Sequence, residues 1–168
     1  MKNKYNIFEK DLTKRIVVAY ESSPLISKVN YVERELPNKL KMKFELRRPV
    51  AIIKRKRKKH LVDKDCVRIP GDFYKYPEEG DEPIYIISRK SVKVPEYGEK
   101  WKDKSIEDGI NLLNYLKHNK IDKLLKIVSI DVSKIEGRRK DNKIGVELWT
   151  KNGAKIKWGF SPSSGQVS

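Results

Sequence analysis

Apolar and charged side chains alternate at every second position between Leu40 and Arg47. A period of two is typical of a β-strand with one face on a core and the other in water. Pro37-Asn38 before the segment indicates a turn, and Pro49 after it indicates a place where no ladder hydrogen bond is needed. We therefore predict a strand whose apolar side is buried, with these four side chains on that side: Leu40, Met42, Phe44 and Leu46.

Two more apolar runs follow, and a basic run separates them. Val50-Ala51-Ile52-Ile53 predicts a second strand, and His60-Leu61-Val62-Asp63 predicts a third. The basic residues between them are Lys54, Arg55, Lys56, Arg57, Lys58 and Lys59. They form either a phosphate-binding patch or the solvated tip of a hairpin, and the flanking strands favour the tip. Such a tip is also suited to contact an anionic membrane surface.

Helical spacing of apolar residues predicts two helices. The first runs from about Asp11, its predicted cap, to Glu21, and Ser22-Ser23-Pro24 stops it. The second begins at Ser105, where Asp108 three residues later is typical of a capping box. Its apolar stripe is Ile106, Ile110, Leu113 and Leu116, and it ends near His118-Asn119.

The remaining strands are predicted from shorter patterns. Ile84 to Ile87 indicates a buried strand, and Leu125 to Val132 alternates. Segments 144–150 and 154–160 form a predicted hairpin across Lys151-Asn152-Gly153, where Asn-Gly supplies positive φ. The alternation slips near Tyr31-Val32, which predicts a β-bulge. Helices that alternate with hairpins in this order indicate the α+β class.

Several of these residues carry a resemblance to a known family. The order is a helix, a proline with apolar neighbours, two strands, Arg48-Pro49-Val50-Ala51 and then Leu61-Val62-Asp63. It resembles the extracytoplasmic part of the FtsQ/DivIB family of bacterial cell-division proteins, in which a POTRA domain precedes a β domain. The family's β domain opens with L-V-D-x-x-G, and Cys66 stands here in place of the glycine. The resemblance covers most of the chain, strongly over about 60 residues.

The resemblance implies a fold and a cellular role. It implies a POTRA-like domain over residues 1–56 and an FtsQ-type β domain over residues 57–168, a mixed sheet with a packed helix. It also implies a non-enzymatic divisome scaffold on the extracytoplasmic side of the bacterial cytoplasmic membrane, with FtsB- and FtsL-like partners. Because no segment approaches the roughly 20 apolar residues of a membrane span, we expect the family's N-terminal transmembrane helix to be absent from this chain. We also expect the first POTRA strand and the last unit of the β domain to be missing.

The family's partner contact lies towards the C-terminal strands. There, Trp158 is in phase with the apolar positions and is predicted to be core, whereas Trp149 is out of phase and is predicted to be exposed or to cover a second face. Alternating lysines are typical of a protected edge strand, so we predict an edge from Ala154 to Trp158. The candidate partner-binding residues are Trp149, Ala154, Lys155, Ile156, Lys157 and Trp158.

Composition limits the other possibilities. The formal net charge is +16, which favours anionic partners and supports a basic nucleic-acid-binding module as the alternative function. That alternative lacks any known nucleic-acid-binding motif, so we rank it behind the scaffold and expect a monomer or weak self-association. The single cysteine, Cys66, excludes an internal disulfide and is predicted to be a partly buried turn residue.

No pattern points to catalysis, a metal or a cofactor. His60 and His118 have no ligand-type partner one helical turn away, so we interpret both as surface or packing residues. Asp63 and Asp65 are either paired carboxylates or an Asx-turn, and their spacing favours the turn. We therefore expect no catalytic, metal-binding or cofactor-binding residues.

Overall fold

The computed structural model describes residues 10–55, 58–71, 83–89, 91–135 and 145–158. The chain divides into two compact units, Met1–Arg47 and Arg48–Ser168. The predicted boundary between residues 56 and 57 is therefore wrong by nine residues of chain. The reason is that Pro49–Arg55 forms a strand that pairs with two strands of the second unit, so it cannot belong to the first.

The first unit contains one helix and one hairpin in its described part. Helix α1 (Leu12–Glu21) is followed by strands β1 (Ile26–Glu35) and β2 (Lys39–Leu46), which pair antiparallel. Asp11 occupies the N-cap position, as predicted, although its side chain makes no capping hydrogen bond. The ladder shifts register between Val29 and Tyr31, next to the predicted site of the bulge.

The alternating strand of the first unit is far less buried than its pattern predicts. Leu40 is 41% exposed, Phe44 39% and Leu46 59%, and only Met42 is half-buried. In the described part of this unit, two strands and one helix of ten residues form too small a layer to cover the whole apolar side. The predicted buried face is therefore wrong for most of its length.

The second unit is built on a mixed sheet with a packed helix, so the expected α+β class is correct. Its described strands are β3 (Pro49–Arg55), β4 (Lys58–Asp63), β5 (Arg68–Ile69), β6 (Ile84–Ile87), β7 (Ile127–Asp131), β8 (Glu147–Thr150) and β9 (Lys155–Lys157). They lie in the order β5-β4-β3-β6-β7-β8-β9. The β3–β6 and β6–β7 pairs are parallel, and the other pairs are antiparallel.

One face of this sheet carries the core. Helix α2 (Lys104–His118), which the short α3 (Ile121–Leu124) follows, contributes fully buried side chains to it. The sheet side consists of alternate residues of neighbouring strands, namely Ala51, Ile53, Val62, Ile86, Ile130 and Leu148. No helix within the described ranges is long and apolar enough to cross a membrane.

The start of α2 differs from the prediction. Asp103 is the N-cap residue, and its Oδ1 accepts a hydrogen bond from the backbone N–H of Ile106 at 3.1 Å. Ser105 and Asp108, the predicted capping pair, are both buried inside the helix. Both Asp103 and Ser105 have the residue type of an N-cap. Asp103, two residues before the predicted cap, is the one whose side chain accepts from a free N–H group of the first turn.

Candidate functional site

The hairpin of β8 and β9 ends the sheet. Its turn is made by Lys151-Asn152-Gly153, with Gly153 at a φ of +82°, as the sequence predicts. The main chain of Ala154 is occupied by this turn, because its N–H donates to Thr150 Oγ1 at 3.0 Å and its carbonyl accepts from Thr150 N–H at 3.0 Å. Ala154 therefore belongs to the turn and not to the predicted edge. Ile144, Gly159 and Phe160 of the predicted hairpin lie outside the described residues.

The hydrogen bonds of this hairpin determine which groups of β9 face outward. Ala154 bonds to Thr150 of β8, and the N–H of Trp158 donates to the carbonyl of Val146, the residue before β8, at 2.8 Å. In an antiparallel ladder the residues between such pairs direct their N–H and C=O away from the partner strand. Lys155 and Lys157 are those residues, and no further strand follows β9 in the described part of the sheet. Among the residues that the structure describes, their main-chain groups therefore form an open edge.

The Lys155 side chain is held on the face of the sheet. Its Nζ lies 2.7 Å from Glu147 Oε2 and 5.4 Å from the centre of the Trp149 ring. Lys134 Nζ lies 3.0 Å from the other oxygen of Glu147. Hydrogen bonds from Lys155 and Lys134 lower the pKa of the Glu147 carboxyl. Trp149 is half-buried on the face away from α2, in agreement with its predicted second-face position.

The two apolar candidates on β9 face the core. Ile156 and Trp158 are half-buried and pack against the core cluster, and the Trp158 ring lies 6.5 Å from that of Tyr115 on α2. The predicted core position of Trp158 is therefore confirmed. Of the six candidate partner-binding residues, Lys155 and Lys157 have both an exposed side chain and an outward main chain, and the Lys155 side chain is also held by Glu147.

The described residues of the basic run lie at the end of a hairpin, as the hairpin-tip interpretation predicts. Lys54 pairs with Lys59, and Arg55 pairs with Lys58, in the antiparallel β3–β4 ladder. Lys59 Nζ donates to the Tyr85 hydroxyl at 3.2 Å and lies 5.4 Å from the centre of that ring. Lys56 and Arg57 lie outside the described residues.

A cavity of about 1090 Å³ lies beside this hairpin, at the opposite end of the sheet from β9. Its described lining residues come from β3, β4, β5, Gly71 and the segment of residues 94–97. Arg68 is fixed within it, because its Nη1 donates to the Pro95 carbonyl at 2.6 Å and its guanidinium lies 4.0 Å from the centre of the Tyr97 ring. No sequence pattern singled out Arg68 or Tyr97, because the contact joins residues far apart in the chain.

His60 lies in the wall of this cavity and is a buried residue, in agreement with a packing role. Its ring contacts Trp101, with 5.8 Å between the ring centres. Burial lowers the pKa of His60, and the positive charges of Arg68, Arg55 and Lys58 lower it further. The imidazole is therefore largely neutral at pH 7. His118, the second histidine, is exposed at the end of α2.

The turn between β4 and β5 has a structural role. Asp63 Oδ1 accepts hydrogen bonds from the N–H groups of Asp65 and Val67 at 3.0 and 2.9 Å, which confirms the Asx-turn over paired carboxylates. Cys66 is buried, and this burial raises the pKa of its thiol to about 12. Within the described ranges, no group of three His, Cys, Asp or Glu side chains could hold a metal ion.

Two comparisons with known proteins found no match. No protein-family model matches the chain, and no curated protein matches it significantly. The resemblance to the FtsQ/DivIB family that the sequence analysis describes therefore rests on the motif residues alone, chiefly Arg48-Pro49-Val50-Ala51 and Leu61-Val62-Asp63.

Proposed function

We propose that this protein is a non-enzymatic scaffold of the bacterial division machinery, of the FtsQ/DivIB type, and that it holds a partner protein by strand addition at β9. The proposal places it on the extracytoplasmic side of the cytoplasmic membrane, with FtsB- and FtsL-like partners. The motif residues around β3 and β4 support it. A mixed sheet with one packed helix in the second unit is compatible with the β domain of that family.

The observation that carries the proposal is the open edge of β9. An extended segment that joins such an edge gains main-chain hydrogen bonds, while alternate side chains set its specificity. Lys155 and Lys157 supply the outward N–H and C=O groups. The ion pairs of Glu147 with Lys155 and Lys134 fix the face beside this edge. A prearranged edge reduces the ordering that a partner strand must impose on binding.

Lys157→Pro tests the edge directly. Proline removes the outward N–H and places a ring against any added strand, yet it leaves the inward hydrogen bonds of Ile156 and Trp158 to β8. We expect the affinity for the extracytoplasmic segment of an FtsB-like protein to fall about tenfold or more. Isothermal titration of that segment into both proteins measures the change.

Lys157→Gln is the matched control, because it removes the same charge and keeps the N–H. We expect this variant to bind within about twofold of the parent, since an exposed rim charge contributes little. If both variants lose binding equally, charge and not strand addition holds the partner. If Lys157→Pro binds as the parent does, the β9 edge is not the site.

The second candidate is a basic nucleic-acid-binding module, which the net charge of +16 favours. Tyr85 and Trp149 lie on one face of the sheet, where aromatic rings could stack on bases. Lys59 and Lys155 already lie over those rings, and both rings are half-buried. We therefore rank this function behind the scaffold.

A further inference from the structure

The cavity beside β4 lies at the opposite end of the sheet from the edge that the proposed function uses. Its apolar lining residues are Ile52, Leu61, Ile69 and Val94. Its basic side chains are Arg55, Lys58, Lys59 and Arg68, and Glu96 is the acidic residue among the described lining residues. A site with this composition attracts a ligand that combines carboxylates with aliphatic groups.

The main chain beside the cavity is open in the described structure. Asp63 N–H bonds to the Val67 carbonyl at 3.1 Å, so alternate residues of β4, including Lys59, direct their main-chain groups towards the β5 side. Strand β5 pairs only with Leu61 and Val62. Beyond its end, the outer side of β4 at Lys59 has no paired strand among the described residues.

Arg68 gives this open edge a fixed positive group. The carbonyl of Pro95 and the ring of Tyr97 hold its guanidinium, so little side-chain freedom remains to be lost on binding. Its Nε is buried and has no hydrogen-bond partner in the described structure. A guanidinium fixed in this way presents a permanent positive charge, which is suited to a carboxylate.

We propose that this cavity binds an acidic, partly apolar peptide segment of another protein, which extends along β4 beside Lys59 and places carboxylates on Arg68 and Lys58. Its aliphatic side chains, which alternate with the acidic ones, contact the apolar lining residues. A cavity of about 1090 Å³ is far larger than a single phosphate needs, and its apolar lining residues favour a peptide over a phosphate headgroup.

The probe is a fluorescein-labelled peptide of about eight residues in which Glu and Val alternate, the length of a typical strand. We expect it to bind the full chain with a Kd on the order of 10 µM at low salt, measured by fluorescence anisotropy. Arg68→Gln combined with Lys58→Gln should weaken this binding about tenfold or more. Lys58→Gln alone, at an exposed position, should weaken peptide binding about threefold. This single variant tests the proposal if the double variant does not fold.

The matched control is Lys151→Gln combined with Lys157→Gln, which removes the same charge from exposed positions at the opposite end of the same sheet. We expect this control to bind within about twofold of the parent. An equal loss in both double variants would show that the overall positive field attracts the peptide, and would overturn the proposal. No loss in either would overturn it as well.

Two further measurements locate the peptide and identify its class. On binding, the amide signals of Lys59, Leu61 and Gly71 should shift in NMR spectra, and the pKa of His60 should rise because a carboxylate offsets the charges around it. The peptide site would be overturned if a peptide with all Glu before all Val bound equally well. It would also be overturned if phosphatidylglycerol vesicles or single-stranded DNA bound more strongly at the same residues. Lys157→Pro should leave this binding unchanged, so that failure here and failure of the β9 proposal are distinguishable.

Discussion

Cys66 occupies the turn between β4 and β5 with a φ of +65°. Side chains with a Cβ rarely adopt this conformation, and it is strained by about 1 kcal/mol or more. The L-V-D-x-x-C sequence predicts either this strain or a different backbone, and the structure shows the strained one. The sequence could not decide between them, because the turn is fixed by hydrogen bonds from the N–H groups of Asp65 and Val67 to the Asp63 side chain. Those bonds are visible only in the folded structure.

Replacing Cys66 by glycine and by alanine separates strain from packing. Both variants lose the buried sulfur, but only glycine relieves the positive φ. We therefore expect Cys66→Gly to have a free energy of unfolding about 1 kcal/mol above that of Cys66→Ala. Urea denaturation of the two variants measures this difference.

Ser105 provides the matched comparison, because it is also buried but lies in the first turn of α2. There alanine should be the more stable substitution by about 1 kcal/mol, since glycine is a poor helix former. If alanine is also the better residue at position 66, the turn carries no strain.

At the scale of elements, helix α2 was predictable because its apolar stripe repeats over several turns. Its N-cap was not, since Asp103 and Ser105 both fit the local pattern and only the hydrogen bond to Ile106 distinguishes them. A second feature that the sequence does not show is the contact of Gly109 with the sheet. A Cβ at this position would lie 2.9 Å from Val132 Cγ1 and 3.5 Å from Ile86 Cγ2.

Gly109→Ala should therefore destabilise the protein, against the usual preference for alanine in a helix. The propensity gain is about 1 kcal/mol, but overpacking of a dense core costs about 1 to 3 kcal/mol. We expect a net loss in the free energy of unfolding, measured by urea denaturation. Both Val132 and Ile86 are buried, so the helix can move away only by giving up core contacts.

Val132→Ala offers a rescue, because it removes the methyl groups nearest to the new Cβ. In the double variant, the loss should be smaller than the sum of the two single losses by about 1 kcal/mol. Additive losses would show that Gly109 is not required for the close packing of α2 on the sheet.

At the scale of the whole molecule, local patterns identified most elements but misplaced the boundary between units. The parallel pairing of β3 with β6 joins residues more than thirty positions apart, from Ala51–Ile84 to Lys54–Ile87, and no period in the sequence reports it. For the same reason, alternation in β2 indicated a strand but could not show how much of its apolar side another element covers. The cavity beside Arg68 escaped prediction because its walls come from distant segments.

The two units differ in how much core supports them. In the described part of the first unit, the buried apolar side chains are Leu12, Ile26 and Val29. In the second unit, a continuous core cluster joins α2 with five strands, β3, β4, β6, β7 and β8. Local opening requires less free energy where fewer apolar contacts must break.

We therefore expect native-state hydrogen exchange of the full chain to reveal two levels of protection. Amides in the β1–β2 ladder should exchange with an opening free energy about 2 kcal/mol or more below that of amides in β6 and β7. Val29→Ala should lower protection in the β1–β2 ladder alone, whereas Ile86→Ala should lower it in β6 and β7, because each side chain is buried in its own unit. Equal opening free energies in both ladders would mean that the whole chain unfolds as one cooperative structure, and the strands of the first unit would then owe their stability to more than the three buried side chains that the described residues provide.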